Sequence, residues 1–298
     1  MSALLLLCAC LLLGALVKRF AKPPEGMVLS VNWWVMRIAL PALVLARVPE
    51  IKLDAHLWFP VAAMWLTFFG AWLLFALLGR ALHWPKRRVG ALVLLAGLGN
   101  TSFMGYPIMQ ALHGSPGLAL AVVADQVGSF PLLAAAGVLV ASLSSGSEVR
   151  PALIARNLLA FPSFIALFVA LAAGALGGWP KPVVDTLNVI GDTMTPLSLF
   201  SVGMQFRLQM QASQVAPLSV ALGWKLLLAP LLTWALGLAA GIGGLTLTVS
   251  VLQAGMAPMI SAAILADQYQ LDPPLANTVL GAGIVLSMVS VPLWNLVC

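Results

Sequence analysis

Two short stretches of this chain combine helix-breaking residues with hydrogen-bonding side chains inside otherwise apolar sequence. Residues 98–110 read LGNTSFMGYPIMQ, and residues 253–262 read QAGMAPMISA. Glycine and proline interrupt a helix and leave backbone N–H and C=O groups without intrahelical partners. Helix N-termini exposed in this way favour anions. The pattern predicts a solute-binding site with the candidate residues Asn100, Thr101, Ser102, Gly105, Pro107, Pro258, Met259 and Ser261. The alternative is that these side chains only satisfy backbone groups freed at the breaks.

Ionisable residues inside apolar segments are a second group of candidates, because charge is costly in hydrocarbon and marks ion, proton or substrate sites. Asp125, which is followed by Gln126, is the stronger candidate for binding a proton or a cation. Asp267 is either a second such group or a helix-end residue in the headgroup region. Lys225 either balances an anionic substrate or pairs with an acid. The remaining two, Arg37 and Asp192, are interpreted as structural charges.

Composition places all these residues in a membrane protein. The 298 residues are 61% hydrophobic and 8% charged, whereas soluble domains carry about 25% charged residues. No block of like charge suggests a nucleic-acid surface. The cysteines and histidines have no metal-ligand spacing, so neither a metal nor a cofactor is expected.

About 20 apolar residues cross a bilayer as a helix, and this length predicts ten spans. They cover residues 2–17, 28–46, 57–79, 89–112, 116–142, 152–176, 182–205, 214–240, 245–268 and 274–297. With both termini outside, most loop arginines and lysines face inward, as the positive-inside rule requires. We therefore expect a multi-pass protein of the plasma membrane, and of the inner membrane in a bacterium.

The chain also repeats itself. Five spans (1–142) precede a polar linker (143–151) and five follow it (152–298). Pro41 follows Arg37 by four residues, and Pro196 follows Asp192 by four residues, so these two charges are expected either to pair or to lie between a static and a moving half. An odd number of spans per half makes the repeats inverted, and matching breaks in such halves indicate a substrate site. The sequence thus predicts an all-α protein whose broken fourth and ninth helices cross near the membrane midplane.

These motifs resemble the auxin efflux carrier family. The stretch GNTSFMGYPIMQALHG is similar to the family signature at Asn100, Thr101, Gly105 and Pro107, and MAPMISAAILADQYQLDP is similar to its ninth-span motif. The resemblance covers essentially the whole chain and implies a fold distantly related to the bile acid:sodium symporters. It also implies secondary transport of a small organic anion such as a malate- or malonate-type carboxylate. Spans 3–5 and 8–10 would move against spans 1, 2, 6 and 7, and a homodimer is compatible with it.

The predicted function is therefore secondary active transport of a small organic anion, a carboxylate in particular, by alternating access at the crossed helices. A sodium- or proton-coupled symporter of the bile acid type is the alternative, with H⁺ or Na⁺ as the coupling ion. An intramembrane enzyme or a sensor is disfavoured, because the chain has no catalytic aspartate motif, no HExxH motif and no attached signalling domain. The expected partners are the solute and the lipid bilayer, with no nucleic acid.

Overall fold

The computed structural model describes residues 2–50, 55–148, 152, 156, 159–205 and 214–298, and the regular structure in these residues is helical. The helices are α1 Ser2–Leu16, α2 Met27–Trp34, α3 Leu40–Arg47, α4 Trp58–Ala81, α5 Lys86–Gly97, α6 Gly105–Val123, α7 Val138–Ser145, α8 Pro162–Ala175, α9 Lys181–Asp192, α10 Met194–Gln205, α11 Val215–Gly223, α12 Ala229–Ala239, α13 Gly244–Ala254, α14 Ile260–Gln268 and α15 Pro273–Val297. Wider π-helical turns occupy Val17–Ala21, Val35–Ala39, Ala124–Ser129, Leu132–Gly137 and Trp224–Leu228, and short 3₁₀ turns occupy Val48–Glu50 and Ala55–Leu57.

Several continuous helices have the length and composition of membrane spans. Among the described residues, five are long and apolar enough to cross a bilayer. They are Met27–Arg47, Trp58–Ala81, Gly105–Ser145, Val215–Ala239 and Pro273–Val297, with 21 to 41 residues each. Because about 20 residues suffice to cross the hydrocarbon core, the prediction of an all-α membrane protein is confirmed at this level.

The longest of these helices, Gly105–Ser145, contains a kink between the predicted fourth and fifth spans. Gly114 has φ 64° and ψ −158°, a conformation that a side chain disfavours. Pro116 follows two residues later and has no N–H to continue the helical hydrogen bonds. The predicted boundary between the two spans therefore coincides with this kink.

Both segments that the sequence predicts to be broken helices are interrupted in the structure. α5 ends at Gly97 and α6 begins at Gly105, whereas α13 ends at Ala254 and α14 begins at Ile260. Leu98 and Met259 have extended backbone at these breaks. The glycine and proline residues noted in the sequence thus coincide with interruptions of the two helices.

The chain forms two compact units. Unit 1 comprises the described residues of 1–54, 102–122 and 158–206, and unit 2 comprises those of 55–101, 123–157 and 207–298. Unit 1 therefore contains predicted spans 1, 2, 6 and 7 with residues 102–122. Unit 2 contains predicted spans 3, 8, 9 and 10 with the first half of span 4 and the part of span 5 from residue 123.

Within unit 1, α1 and α10 approach so closely that glycine is required on both helices. A Cβ at Gly14 would lie 2.1 Å from the carbonyl oxygen of Phe200, and a Cβ at Gly203 would lie 2.1 Å from that of Leu11. Small residues allow this approach in membrane helices, where close packing replaces the hydrophobic effect as the source of association. The α1–α10 pair is thus held by backbone-to-backbone packing.

Within unit 2, aromatic packing and one ion pair connect the helices around α5. Phe68 and Phe75 on α4 are fully buried. The indole Nε1 of Trp224 donates to the carbonyl oxygen of Thr67 at 3.2 Å. Arg88 Nε in the first turn of α5 contacts Asp272 Oδ2 at 2.9 Å, which ties the start of α5 to the residue preceding α15.

The close approach at Gly203 predicts a stability difference between two identical substitutions. Gly203→Ala should lower the melting temperature of the purified chain, because the new methyl group collides with backbone and overpacking costs about 1–3 kcal/mol. Gly223→Ala is the matched control, because nothing lies within 4 Å of a Cβ at that position. Equal melting temperatures of the two variants would contradict the packing of α1 against α10.

Candidate functional site

The two helix breaks in unit 2 pair with each other through their backbones. The N–H of Asn100 donates to the carbonyl oxygen of Ala257 at 2.7 Å, and the N–H of Met259 donates to that of Leu98 at 3.0 Å. Each break therefore supplies partners for groups that the other break frees from its helix. These backbone groups therefore satisfy one another across the two breaks.

Gly99 and Pro258 face each other at the centre of this pairing as an antiparallel bridge. Pro258 has no N–H and so cannot continue helical hydrogen bonding through the break. A Cβ added to Gly283 on α15 would lie 2.3 Å from Pro258 Cδ. The second break is thus packed directly against α15.

Asp125 lies beside the first break and is held by two neutral donors. Its side chain is 3% exposed. The Thr101 hydroxyl donates to Asp125 Oδ1, and Gln126 Nε2 donates to Asp125 Oδ2 at 2.8 Å. The structure therefore joins two residues predicted from the first break and the following span, although 24 positions separate Thr101 from Asp125 in the chain.

Gln253 belongs to the same network and was not among the residues predicted from the sequence. It lies in the last turn of α13, is fully buried, and donates from Nε2 to the carbonyl oxygen of Thr101 at 3.3 Å. A signal for it was available, because it begins the QAGMAPMISA stretch and is a primary amide in an apolar segment. Its contact with Thr101 connects the two breaks through side chains as well as backbone.

Lys225 brings a cationic side chain to the first break. The residue is 1% exposed and lies in the π-helical turn Trp224–Leu228. A Cβ added to Gly99 would lie 2.9 Å from Lys225 Nζ and 3.5 Å from its Cε. The ammonium group thus lies against the backbone of the break, at a position that only glycine leaves open.

Four buried polar atoms of this site have no hydrogen-bond partner among the described residues. Two are donors, Lys225 Nζ and Asn100 Nδ2, and two are acceptors, Gln126 Oε1 and Gln253 Oε1. Leaving a buried polar group unsatisfied costs about 1–3 kcal/mol, and more for a charged group. These four atoms belong to residues that contact the paired breaks directly or through Asp125, and they give the site two buried donors and two buried acceptors that the described residues leave unsatisfied.

Three of the predicted intramembrane charges lie in π-helical turns. Arg37 is in Val35–Ala39, Asp125 in Ala124–Ser129 and Lys225 in Trp224–Leu228. Such turns are rare and often mark functional sites. The turn around Lys225 is anchored, since Trp294 Nε1 donates to the carbonyl oxygen of Leu226 at 2.9 Å. The anchoring holds the cationic residue in place within unit 2.

Three of the predicted solute-binding residues belong to unit 1. Ser102 is half-buried, and its carbonyl oxygen accepts from Tyr106 N at 3.2 Å. Gly105 and Pro107 are buried in the first turn of α6. Ser261 is half-buried in the first turn of α14 in unit 2.

The remaining predicted charges lie on the surface. Asp267 is exposed in the last turn of α14 and is not part of the network around Asp125. Arg37 and Asp192 are both exposed in unit 1. Within the described residues neither of these two has a hydrogen bond or an ion pair, so the predicted alternative of a pair between them is not observed.

Comparison with known proteins identifies the class. Residues 5–295 match the family described as membrane transport protein. An uncharacterized transporter of Methanothermobacter thermautotrophicus is 27% identical over 96% of this chain and 94% of its own length. A second uncharacterized transporter, from Methanocaldococcus jannaschii, is 23% identical over 99% of this chain and 97% of its own. The chain belongs to the membrane transport protein family, which confirms the resemblance to the auxin efflux carriers.

The contact between Thr101 and Asp125 predicts a measurable contribution to stability. Thr101→Val keeps the side-chain shape but removes a donor to the buried carboxyl group, a loss of about 1.5–3 kcal/mol if the group is charged. The matched control is Thr233→Val on α12, because within the described residues that buried hydroxyl bonds only to the carbonyl oxygen of Ala229 in its own helix. The melting temperature should fall clearly further for Thr101→Val. A larger fall for the Thr233 variant would contradict the assigned network.

Proposed function

We propose that this chain is a secondary active transporter that moves a small organic anion, and a carboxylate in particular, by alternating access. One observation carries the proposal: beside the paired helix breaks, the buried ammonium of Lys225 and the buried amide nitrogen of Asn100 have no hydrogen-bond partner among the residues that the structure describes. Both groups are hydrogen-bond donors, and carboxylate oxygens are acceptors that charge-assisted donors bind strongly. The family and the names of the relatives support the class of transporter.

Electrostatics favours an anion over a neutral solute at this position. An isolated ammonium is costly to bury, whereas a paired and hydrogen-bonded charge is tolerated. A carboxylate that contacts Lys225 Nζ and Asn100 Nδ2 would satisfy both unpaired donors at once. The α14 N-terminus, which follows the second break, adds the positive end of a helix dipole near Ser261.

The unpaired oxygens support coupling to a cation as a second candidate property. Gln126 Oε1 and Gln253 Oε1 are buried acceptors, and Asp125 adds a carboxyl group to the same network. Oxygen atoms of this kind bind either a proton, carried by the carboxyl group, or a sodium ion. Symport of the anion with H⁺ or Na⁺ is therefore the alternative to uniport or efflux of the anion alone.

The proposed architecture has ten membrane spans in two inverted five-helix repeats, 1–142 and 152–298. Its support is the occurrence of one helix break in each half, at residues 98–104 and 255–259, and the pairing of these breaks by backbone hydrogen bonds. We place both termini outside the cytoplasm, and the protein in the inner membrane of a bacterium, because basic residues then concentrate in the inward loops. The breaks would lie near the midplane, where inverted-repeat transporters bind their substrates.

The groups proposed to bind the solute lie within one compact body. Asn100, Asp125, Lys225 and Gln253 are all in unit 2. They would consequently stay together if that unit changes position during transport. A homodimer is compatible with the family resemblance, and the transporter relatives give no support to an enzyme or a sensor.

Removal of the unpaired ammonium should abolish transport without unfolding the protein. In proteoliposomes preloaded with malate or malonate, Lys225→Met should reduce counterflow of the labelled dicarboxylate at least tenfold, because it removes the cation and keeps an unbranched side chain. Lys181→Met is the matched control, since Lys181 is exposed at the start of α9. Wild-type counterflow in the Lys225 variant would exclude this site, and no counterflow by the wild type for a panel of carboxylates would count against an organic-anion carrier.

Coupling to protons predicts a changed pH profile in a second variant. If Asp125 binds and releases a proton in each cycle, uptake by the wild type depends on an imposed pH gradient. Asp125→Asn cannot exchange that proton and should take up the same dicarboxylate with no response to the gradient. Asp267→Asn, at an exposed carboxyl group outside the network, should retain the wild-type response. An unaltered profile in the Asp125 variant eliminates Asp125 as the proton site.

A further inference from the structure

A cavity separate from the paired breaks lies in unit 2 where α4, α5 and α7 converge. Its volume is about 500 Å³. The last turns of α4 form one wall, the start of α5 a second and the end of α7 a third. None of the residues identified above as solute-binding candidates lines it.

Two cationic side chains line this cavity. Arg80 lies in the last turn of α4 and Lys86 begins α5, and both are exposed. In the described residues neither forms a hydrogen bond or an ion pair, whereas the nearby Arg88 is paired with Asp272. No acidic residue is among the described residues that line the cavity. Its charge is therefore positive and uncompensated.

The rest of the lining is apolar and aromatic. Trp72 and Ala76 on α4, Val89 on α5 and Leu143 on α7 form the walls, and Trp84 lies between α4 and α5. Amphipathic tryptophan rings prefer the headgroup level of a bilayer. Leu73 and Leu77, which neighbour the lining residues on α4, are 64% and 55% exposed, as expected for a helix surface that faces lipid.

We propose that this cavity binds an anionic phospholipid, with the headgroup phosphate at Arg80 and Lys86 and an acyl chain against Trp72 and Leu143. A charged phosphate complements the two cations, and the apolar walls fit the hydrocarbon that a free phosphate lacks. The positive-inside pattern puts Arg80 and Lys86 on the cytoplasmic side. Basic pockets between membrane helices on that side bind the headgroups of anionic lipids. This site is independent of the proposed transport site.

The test is lipid selectivity of the full chain measured by native mass spectrometry. The detergent-solubilised protein is offered equal amounts of phosphatidylglycerol and phosphatidylcholine with identical acyl chains. Phosphatidylglycerol adducts should predominate several-fold and withstand the activation that removes phosphatidylcholine. The double variant Arg80→Gln/Lys86→Gln should lose this selectivity. Arg19→Gln/Lys22→Gln removes the same charge at residues outside the cavity and should retain it.

Two further arms separate this cavity from general surface attraction. Ala76→Trp fills the cavity and leaves both cations in place, so it should also reduce retained phosphatidylglycerol. Glycerol 3-phosphate, which has no acyl chain, should not displace the lipid at equal concentration. Equal binding of the two lipids, an equal loss in the Arg19/Lys22 control, full retention in Ala76→Trp or displacement by glycerol 3-phosphate would each overturn the proposal. Melting temperatures in phosphatidylcholine confirm that each variant is folded.

Discussion

The contact between the ammonium of Lys225 and the backbone of Gly99 is the constraint on which the candidate site depends. A charged side chain is brought to a point where the helix has been opened and where a Cβ at Gly99 would meet the nitrogen at 2.9 Å. A continuous helix with an ordinary side chain at this position would exclude the cation. The position of the Lys225 ammonium therefore depends on both the helix break and the absence of a side chain at Gly99.

A binding site surrounded by lipid must meet two requirements, and in the candidate site backbone groups meet one of them while side chains serve the other. Backbone groups freed from a helix must find partners, because no water is present in hydrocarbon to supply them. Asn100 and Met259 meet this requirement with hydrogen bonds to the opposite break. The side chains of Asn100, Gln126, Lys225 and Gln253 carry the polar atoms that have no partner among the described residues. Under the proposed function a solute or a coupling ion binds these side-chain atoms and leaves the backbone pairing intact.

The sequence predicted the location of the breaks well, because glycine and proline act on the backbone where they stand. Gly99 and Pro258 are at the bridge itself. It also predicted Asn100, Asp125 and Lys225 as candidates, because polar and charged groups are costly in apolar segments unless they are paired or bind a ligand. It did not predict which of them meet. Asp125 was the stronger candidate and Asp267 was left open between a second ionisable site and a helix-end residue, and of these two only Asp125 has its carboxyl group in the network. That difference is set by packing between helices distant in the chain.

Lys225 Nζ forms no hydrogen bond with the carboxyl group of Asp125 or with that of Asp272. Asp272 is engaged by Arg88 and stabilises the join between α5 and α15, as a structural ion pair does. Asp125 accepts hydrogen bonds from the neutral donors Thr101 and Gln126. Neutral donors hold a carboxyl group in position without cancelling a neighbouring cation. Had Asp125 been bonded directly to Lys225, the ammonium would be satisfied permanently, and an arriving carboxylate would have to compete with a group of its own kind. Lys225 Nζ has no hydrogen-bond partner among the described residues, and under the proposed function this leaves the cation for the solute. Asp125 accepts from the amide of Gln126, whose own oxygen has no partner in that part of the chain, and the proposal assigns these oxygens to the coupled cation.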